Sequence, residues 1–251
     1  MSTSDMGRPE LSVVVPVFNE QDNVAPLIHE ITAALRGNPL LAGAGFEIVY
    51  VDDDSRDATL ANLQQLKREV PELRVLHHTT QSGQSTAVRT GVKAARGRWI
   101  ATLDGDGQND PADIPKLLAE RQRNAPEVKL FAGWRTQRKD TGSKRWASKI
   151  ANAIRSRMLR DATPDTGCGI KLFEREAFLD LPWFNHMHRY LPALMQRAGW
   201  RTVSVPVNHR ARSTGVSKYN NLNRALVGIA DLRGVAWLIR RGKVTAAEEL
   251  S

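Results

Sequence analysis

The chain of 251 residues contains a single cysteine, Cys168. That excludes an intramolecular disulfide and fits a reducing compartment. Long apolar runs are also missing. The nearest candidate, Ala225 to Ile239, is interrupted by Asp231 and Arg233, so it falls short of the uncharged length a membrane span needs. Aromatic residues make up only 6% and form no stacking pattern of the kind that binds nucleic-acid bases. Met1 to Glu10 is polar and lacks an apolar core, so no secretory leader is expected. No internal repeat or low-complexity tract is visible.

Acidic residues are scarce in the second half, and what replaces them is positive charge. Lys129 to Arg160 holds ten basic residues against one acid, Asp140, and His209 to Lys243 holds eight against Asp231. The formal net charge of +9 points to an anionic partner: nucleic acid, a membrane surface or a phosphorylated substrate. The hydrophobic share of 41% and charged share of 25% are ordinary for a globular chain, long enough for one large α/β domain or two small ones.

The first half alternates strand-like and helix-like segments. Leu11 to Phe18 is a β-branched apolar run. Asn23 to Leu35 has helical spacing, with Asp22 or Asn23 as its cap. Phe46 to Val51 reads as strand, Thr59 to Val70 as helix and Leu73 to His77 as strand. Ser85 to Ala95 reads as helix, Trp99 to Leu103 as strand, Pro111 to Arg123 as helix and Val128 to Trp134 as strand. This alternation indicates a mostly parallel central sheet flanked by helices, with ligands beyond the carboxyl ends of the strands. Asn19-Glu20, Asp52-Asp53 and Asp104-Asp106 all fall at such ends. Further on, Arg145 to Arg160 reads as a basic helix. Gly169 to Phe173 and Thr202 to Val207 read as strands, and Asn221 to Arg241 as a helix apolar on one side. Met1 to Arg8 and Thr245 to Ser251 are expected to be disordered.

The most informative stretch is Asp104-Gly105-Asp106-Gly107-Gln108. Carboxylates at i and i+2 of an extended segment point the same way. One divalent cation can then bridge both carboxylates and the oxygens of a bound phosphate, an arrangement suited to Mg²⁺. An Asp-x-Asp motif alone is weak, because a Gly-rich acidic turn is often only a turn.

Five elements occur in order: Val15-Pro16-Val17-Phe18-Asn19-Glu20; Val51-Asp52-Asp53-Asp54-Ser55-Arg56-Asp57-Ala58-Thr59; Ser82-Gly83-Gln84-Ser85-Thr86-Ala87; Asp104-Gly105-Asp106-Gly107-Gln108-Asn109-Asp110-Pro111; and Arg212-Ser213-Thr214-Gly215-Val216-Ser217-Lys218-Tyr219. Together they resemble the family 2 glycosyltransferases of the GT-A fold, and more narrowly the polyprenyl-phosphate sugar synthases. The resemblance covers about Leu11 to Tyr219. The Gly83-Gln84 pair and the Ser217-Lys218-Tyr219 ending lean toward the undecaprenyl-phosphate branch.

The resemblance implies an α/β GT-A nucleotide-diphospho-sugar transferase fold over residues 11–219, followed by a C-terminal helix over 220–244 that packs on the core or rests on a membrane. It places Pro16, Asn19, Glu20, Asp52 or Asp53, Gly83, Asp104 and Lys218 on the nucleotide sugar. Asp104, Asp106 and Gln108 would hold Mg²⁺ or Mn²⁺, with Asp106 catalytic. Arg135, Arg145 and Ser148 would cradle the acceptor phosphate, for which the guanidinium fork is suited. Asp165 would position the acceptor or act as a base. A lipid monophosphate needs little help from a base, since a second pKa of about 6 leaves it largely ionised at neutral pH. His209, Arg212, Gly215, Ser217 and Lys218 would form a mobile loop with Gly215 as its pivot. Asp54 and Asp57 read better as strand and helix caps, Cys168 as packing, and Arg155, Arg157 and Arg160 as lipid-head-group contacts or solvated charge.

Two departures from the family pattern lie beside these residues. Asp54 stands where a small residue is usual and Gly107 where an apolar one is usual. A pair of C-terminal membrane helices found in many bacterial relatives has no counterpart here. The expected partners are therefore a nucleotide-diphosphate sugar, a polyprenyl phosphate and a membrane surface on the cytosolic face of the inner membrane, reached directly or through a small membrane protein. A non-lipid acceptor such as a saccharide is the alternative, and would make Asp165 a required base. A basic nucleic-acid-binding protein is the alternative of another class, but it leaves the strand-end carboxylates without a role.

Overall fold

The computed structural model describes residues 8–41, 43–124, 126–136, 154–161, 163–210 and 221–245, with the backbone alone for 221–226. Among these residues seven strands form one sheet: β1 (Leu11–Val17), β2 (Phe46–Asp52), β3 (Leu73–His77), β4 (Trp99–Thr102), β5 (Val128–Arg135), β6 (Lys171–Glu174) and β7 (Arg201–Val207). Their order is β3-β2-β1-β4-β6-β5-β7. Strands β1 to β4 pair in parallel, as do β5 and β7. Only β6 is reversed, antiparallel to both β4 and β5. The mostly parallel expectation therefore holds, with one reversed strand inserted beside β4.

Strand residues alternate between two cores, as the period of two requires. On β1 and β2, Val13, Val15, Ile48 and Tyr50 face one layer, while Val14, Val49 and Val51 face the other. The first layer is covered by α1 (Val24–Leu35), α2 (Thr59–Glu69) and α4 (Ile114–Asn124) through Ile28, Leu63 and Leu117. The second is covered by α3 (Gln84–Ala94), a helix over residues 154–159 (α5), α6 (Arg175–Leu179), α7 (Leu191–Arg197) and α8 (Asn221–Arg241). Burial on both faces explains the near-continuous β-branched runs of the parallel strands.

Three local expectations need correction. Asn23 precedes α1 but makes no side-chain cap; its Nδ2 donates instead to Glu20 Oε2 at 2.7 Å. The Pro111 segment opens as a 3-10 turn, Pro111–Asp113, capped by Asp110 Oδ1 accepting from Ala112 N. Strand β6 begins at Lys171 rather than Gly169, because Gly169 O accepts from Thr102 Oγ1 at 2.8 Å instead of joining the ladder. Among the described residues, no helix is long and apolar enough to cross a membrane. Helix α8 packs on the core through part of its surface. Val235 and Ala236 are buried against the second core, while Val227, Ile229 and Trp237 face outward.

Candidate active site at the carboxyl edge of the sheet

The ends of β1 and β2 are stitched together, with Val17 opposite Asp52 and Asp53 N donating to Val17 O at 2.9 Å. Asn19, held at φ 55°, ties the two following loops. Its N–H donates to Ser55 Oγ at 2.9 Å, and its Oδ1 accepts from Arg56 N at 2.7 Å. Glu20 N donates to Thr59 Oγ1, and Pro16 lies half-buried just before the strand end. Asp57 accepts from Thr59 N and Oγ1 at the start of α2, as a cap should.

The adjacent carboxylates Asp52 and Asp53 have different environments. Both Asp53 oxygens are occupied: Oδ1 by Ser82 N at 2.9 Å and His78 Nδ1 at 2.7 Å, Oδ2 by Gly83 N at 2.7 Å. Asp53 thus fixes the loop that leads into α3. Gly83 has φ 86° and ψ 161°, a region essentially closed to residues with a side chain. Asp52 is fully buried. Its Oδ2 contacts His77 Nδ1 at 2.8 Å and Ser55 N at 3.3 Å, but its Oδ1 has no partner. An orphaned buried acceptor is costly.

The acidic turn differs from the sequence expectation. Strand β4 stops at Thr102, so Asp104 and Asp106 lie in a turn rather than on one face of a strand. Asp106 Oδ1 accepts from Gln108 N at 3.1 Å. Asp104 N donates to Asn109 Oδ1 at 2.8 Å, and Asp104 Oδ1 accepts from Gln84 Nε2 at 2.7 Å. Gly169 sits directly behind this carboxylate: a Cβ there would lie 2.1 Å from Asp104 Oδ2. Burial, and then the charge of Asp106, push the Asp104 carboxyl above its ordinary value, against Lys171, Gln84 and Arg135. Two crowded carboxylates of like charge fit a hard divalent cation. Among the described residues no group of three or more His, Cys, Asp or Glu is placed to hold a metal ion; Asp104, Asp106 and Gln108 are the residues that would face one here. Asp54 and Gly107 both have positive φ, 65° and 72°, a conformation that glycine and the short polar Asp adopt more readily than most residues.

Strands β5 and β6 bring the basic side of the site. Arg135 grips Asp165 in a fork, Nε to Oδ2 at 2.6 Å and Nη2 to Oδ1 at 2.8 Å, and its backbone N–H reaches Oδ2 at 3.3 Å. This bonding raises the Arg135 guanidinium further. Lys171 is buried on β6 with its ammonium on Cys168 O. Burial lowers its pKa while Cys168, Asp104 and Asp165 oppose the shift. Cys168 is itself in the core, with its thiol pushed up mainly by burial, so it packs as expected.

Past β7, Asn208 N donates to Asp113 Oδ2 at 2.6 Å and Arg210 N to Gln108 O at 3.0 Å. Arg210 also pairs with Glu30 and Asp110. His209, between them, is held half-buried beside the acidic turn. Arg145, Ser148, Arg212, Gly215, Ser217 and Lys218 lie outside the described residues. Arg155 is corrected: it is buried, donating to Asp161 Oδ2 at 2.7 Å and Thr163 O at 2.6 Å, and has no lipid-facing role. Trp134 and Trp237 are both exposed.

Sequence reasoning missed Gln84, Asn109, Lys171 and His188 as members of this edge. Lys171 had a signal, being a charge inside the apolar run Ile170 to Phe173. His188 had none, because its partner Ser85 lies 103 residues away.

The glycosyl transferase family 2 model matches residues 12–181. The chain is 38% identical over 235 residues to a dodecaprenyl-phosphate galacturonate synthase of Rhizobium johnstonii, covering 92% of this chain and 68% of that one. It is 31% identical over 212 residues to an undecaprenyl-phosphate 4-deoxy-4-formamido-L-arabinose transferase of Pseudomonas fluorescens, covering 84% of this chain and 60% of that one. The chain thus spans about three-fifths to two-thirds of the length of these relatives. In fold it is similar to a mannosyltransferase from Pyrobaculum calidifontis in complex with GDP-Man and Mn²⁺, with TM-score 0.66, 20% identity and 98% of this chain against 68% of that one. A glucosyl-3-phosphoglycerate synthase from Mycobacterium tuberculosis, in complex with Mn²⁺, UDP and glucosyl-3-phosphoglycerate, gives 0.63, 16%, 95% and 82%. These neighbours share the GT-A architecture. With more than half its length matched by the family model and a relative at 38% identity, the chain belongs to glycosyl transferase family 2.

Proposed function

We propose that this glycosyltransferase moves a sugar, with inversion, from a nucleotide-diphosphate donor to a polyprenyl phosphate. One observation carries the proposal: the Asp104–Asp106 turn and the Arg135–Asp165 pair meet at the same sheet edge, with Arg135 Nη2 against Gly167 and Asp104 Oδ2 against Gly169 of one short loop. A carboxylate pair suits a metal-bound diphosphate, and a fixed guanidinium beside it suits a second phosphate. The names of the two relatives support such an acceptor.

Asp52 Oδ1 accepts from an N–H of the base, while Asp53 and Asn19 hold the loops around it. Asp104, Asp106 and Gln108 would hold Mg²⁺ or Mn²⁺, which when bound would supply charge neutralisation to the leaving diphosphate. Arg135 orients the acceptor phosphate, and Asp165 fixes Arg135. Because both Asp165 oxygens are engaged by Arg135, we do not assign Asp165 as a proton acceptor. The acceptor oxygen, already ionised, attacks the sugar C1 as the C1–diphosphate bond breaks, and the electron pair leaves on the nucleoside diphosphate.

The outward residues Val227, Ile229 and Trp237 of α8, with Arg233 and Arg240 also exposed, would rest on an anionic membrane surface at the cytosolic face. The test is nucleoside diphosphate release with undecaprenyl phosphate in detergent, Mg²⁺ or Mn²⁺, and a panel of UDP- and GDP-sugars that includes a galacturonate donor. Lipid-dependent release that disappears in Asp106→Ala is the expected result. Release that proceeds equally without lipid would exclude a polyprenyl phosphate acceptor.

A further inference from the structure

The first turn of α3 is pinned from two sides. Asp53 holds it from below through Ser82 N and Gly83 N. On the other side, Ser85 is buried, and its Oγ lies 2.5 Å from His188 Nδ1 on the 3-10 turn Met187–Arg189. Between these anchors Gln84 projects to the mouth of the site and donates to Asp104 Oδ1. Asp104 Oδ2 is backed by Gly169. The orientation of the Asp104 carboxylate therefore depends on where the α3 turn places Gln84.

We propose that His188 is a positioning residue for Asp104, acting through Ser85 and Gln84 to aim that carboxylate at the metal and diphosphate. The inference rests on the assignment of Asp104 and Asp106 to the metal-diphosphate site. His188 suits the task because its imidazole remains neutral. Burial, then Lys171, Arg189 and His186, depress its pKa to about 3, so the Ser85 contact is unchanged across the working pH range. Its turn is reached through His186 in a left-handed conformation, φ 66°, and His186 is tied to Asp231 of α8 at 3.0 Å. The prop is thus supported by the second core rather than by a surface loop.

The experiment titrates Mn²⁺ alone into the purified full chain and follows the free Mn²⁺ signal by electron paramagnetic resonance, with melting temperature recorded for each variant. Removing a group that orients a metal ligand weakens affinity by about 10–100-fold. His188→Ala and Gln84→Ala are each expected to weaken Mn²⁺ binding by about tenfold, and the double variant to be no weaker than Gln84→Ala. His188→Asn, which can still hydrogen-bond Ser85, is expected to recover most of the affinity. A further loss in the double variant, or unchanged binding in His188→Ala, overturns the inference. Asp106→Ala separates the two levels: Mn²⁺ binding that survives this change overturns the metal assignment itself. Binding lost in Asp106→Ala but intact in His188→Ala overturns only the role of His188.

Discussion

Arg135 and Asp165, 30 residues apart in sequence, form a two-point ion pair at the end of β5, with Nε and Nη2 of one on Oδ2 and Oδ1 of the other. Both side chains are largely removed from water. Breaking such a pair by deleting one partner costs more than forming it gains, because the remaining charge is stranded. The acid and the arginine, which the sequence assigned to separate tasks, therefore act as one unit.

Asp165→Asn should accordingly impair acceptor use before donor use. The neutral amide no longer fixes the guanidinium, so the KM for lipid phosphate should rise about tenfold, a loss of roughly 1.4 kcal/mol. The KM for the nucleotide sugar should change little. Steady-state kinetics with each substrate varied in turn checks this. A fall confined to kcat that is restored by raising pH would instead identify Asp165 as a base.

Gly169→Ala tests the backing of the metal carboxylate. The new Cβ would fall 2.1 Å from Asp104 Oδ2 and 2.6 Å from Asn109 Oδ1. Asp104 must rotate away, and turnover should drop by about 100-fold or more, as for other misplaced reacting groups. Circular dichroism should be unchanged, since Gly169 precedes β6 and carries no core side chain.

Asp52→Asn and Asp53→Asn should separate cleanly. In Asp52→Asn the amide oxygen can keep the His77 and Ser55 contacts while the new NH₂ occupies the orphaned Oδ1 position. Stability should hold, and donor affinity should fall because a base N–H then meets another donor. In Asp53→Asn an NH₂ must face either Ser82 N–H or Gly83 N–H. Thermal denaturation should show a loss of about 1–3 kcal/mol.

The opposite end of the sheet sets an acid limit on stability. Glu47 is buried and accepts from Ser12 Oγ, Arg96 N and Arg74 Nη1, each at 2.6 Å. Burial alone would raise its carboxyl, but these bonds outweigh burial and hold it below its ordinary value. A depressed folded-state pKa gives stability that is present above the unfolded value, about 4.3. That stability is lost as pH falls through the folded value. Glu47→Gln should be less stable than the parent at pH 7, and the gap in melting temperature should close as pH falls below about 4.

The sequence alone determined the alternation of strands and helices, the sheet's carboxyl edge as the place for chemistry, and the acids that stand there. These features are local: periodicity fixes an element, and the residue after a buried strand falls at its end. Tertiary structure decided what the same residue types do. Asp52 and Asp53 are neighbours in the chain, but the loop before α3 supplies two N–H donors to one and leaves an oxygen of the other bare. The Asp104–Asp106 spacing suggested a strand face, whereas the early end of β4 placed both in a turn. Arg155 looked like surface charge until Asp161 and Thr163 enclosed it. Lys171 and His188 entered the site only because reversed β6 pairs with β4 and the turn before α7 packs on α3. Partnership over such separations is set by packing and desolvation, which no local pattern of residue types encodes.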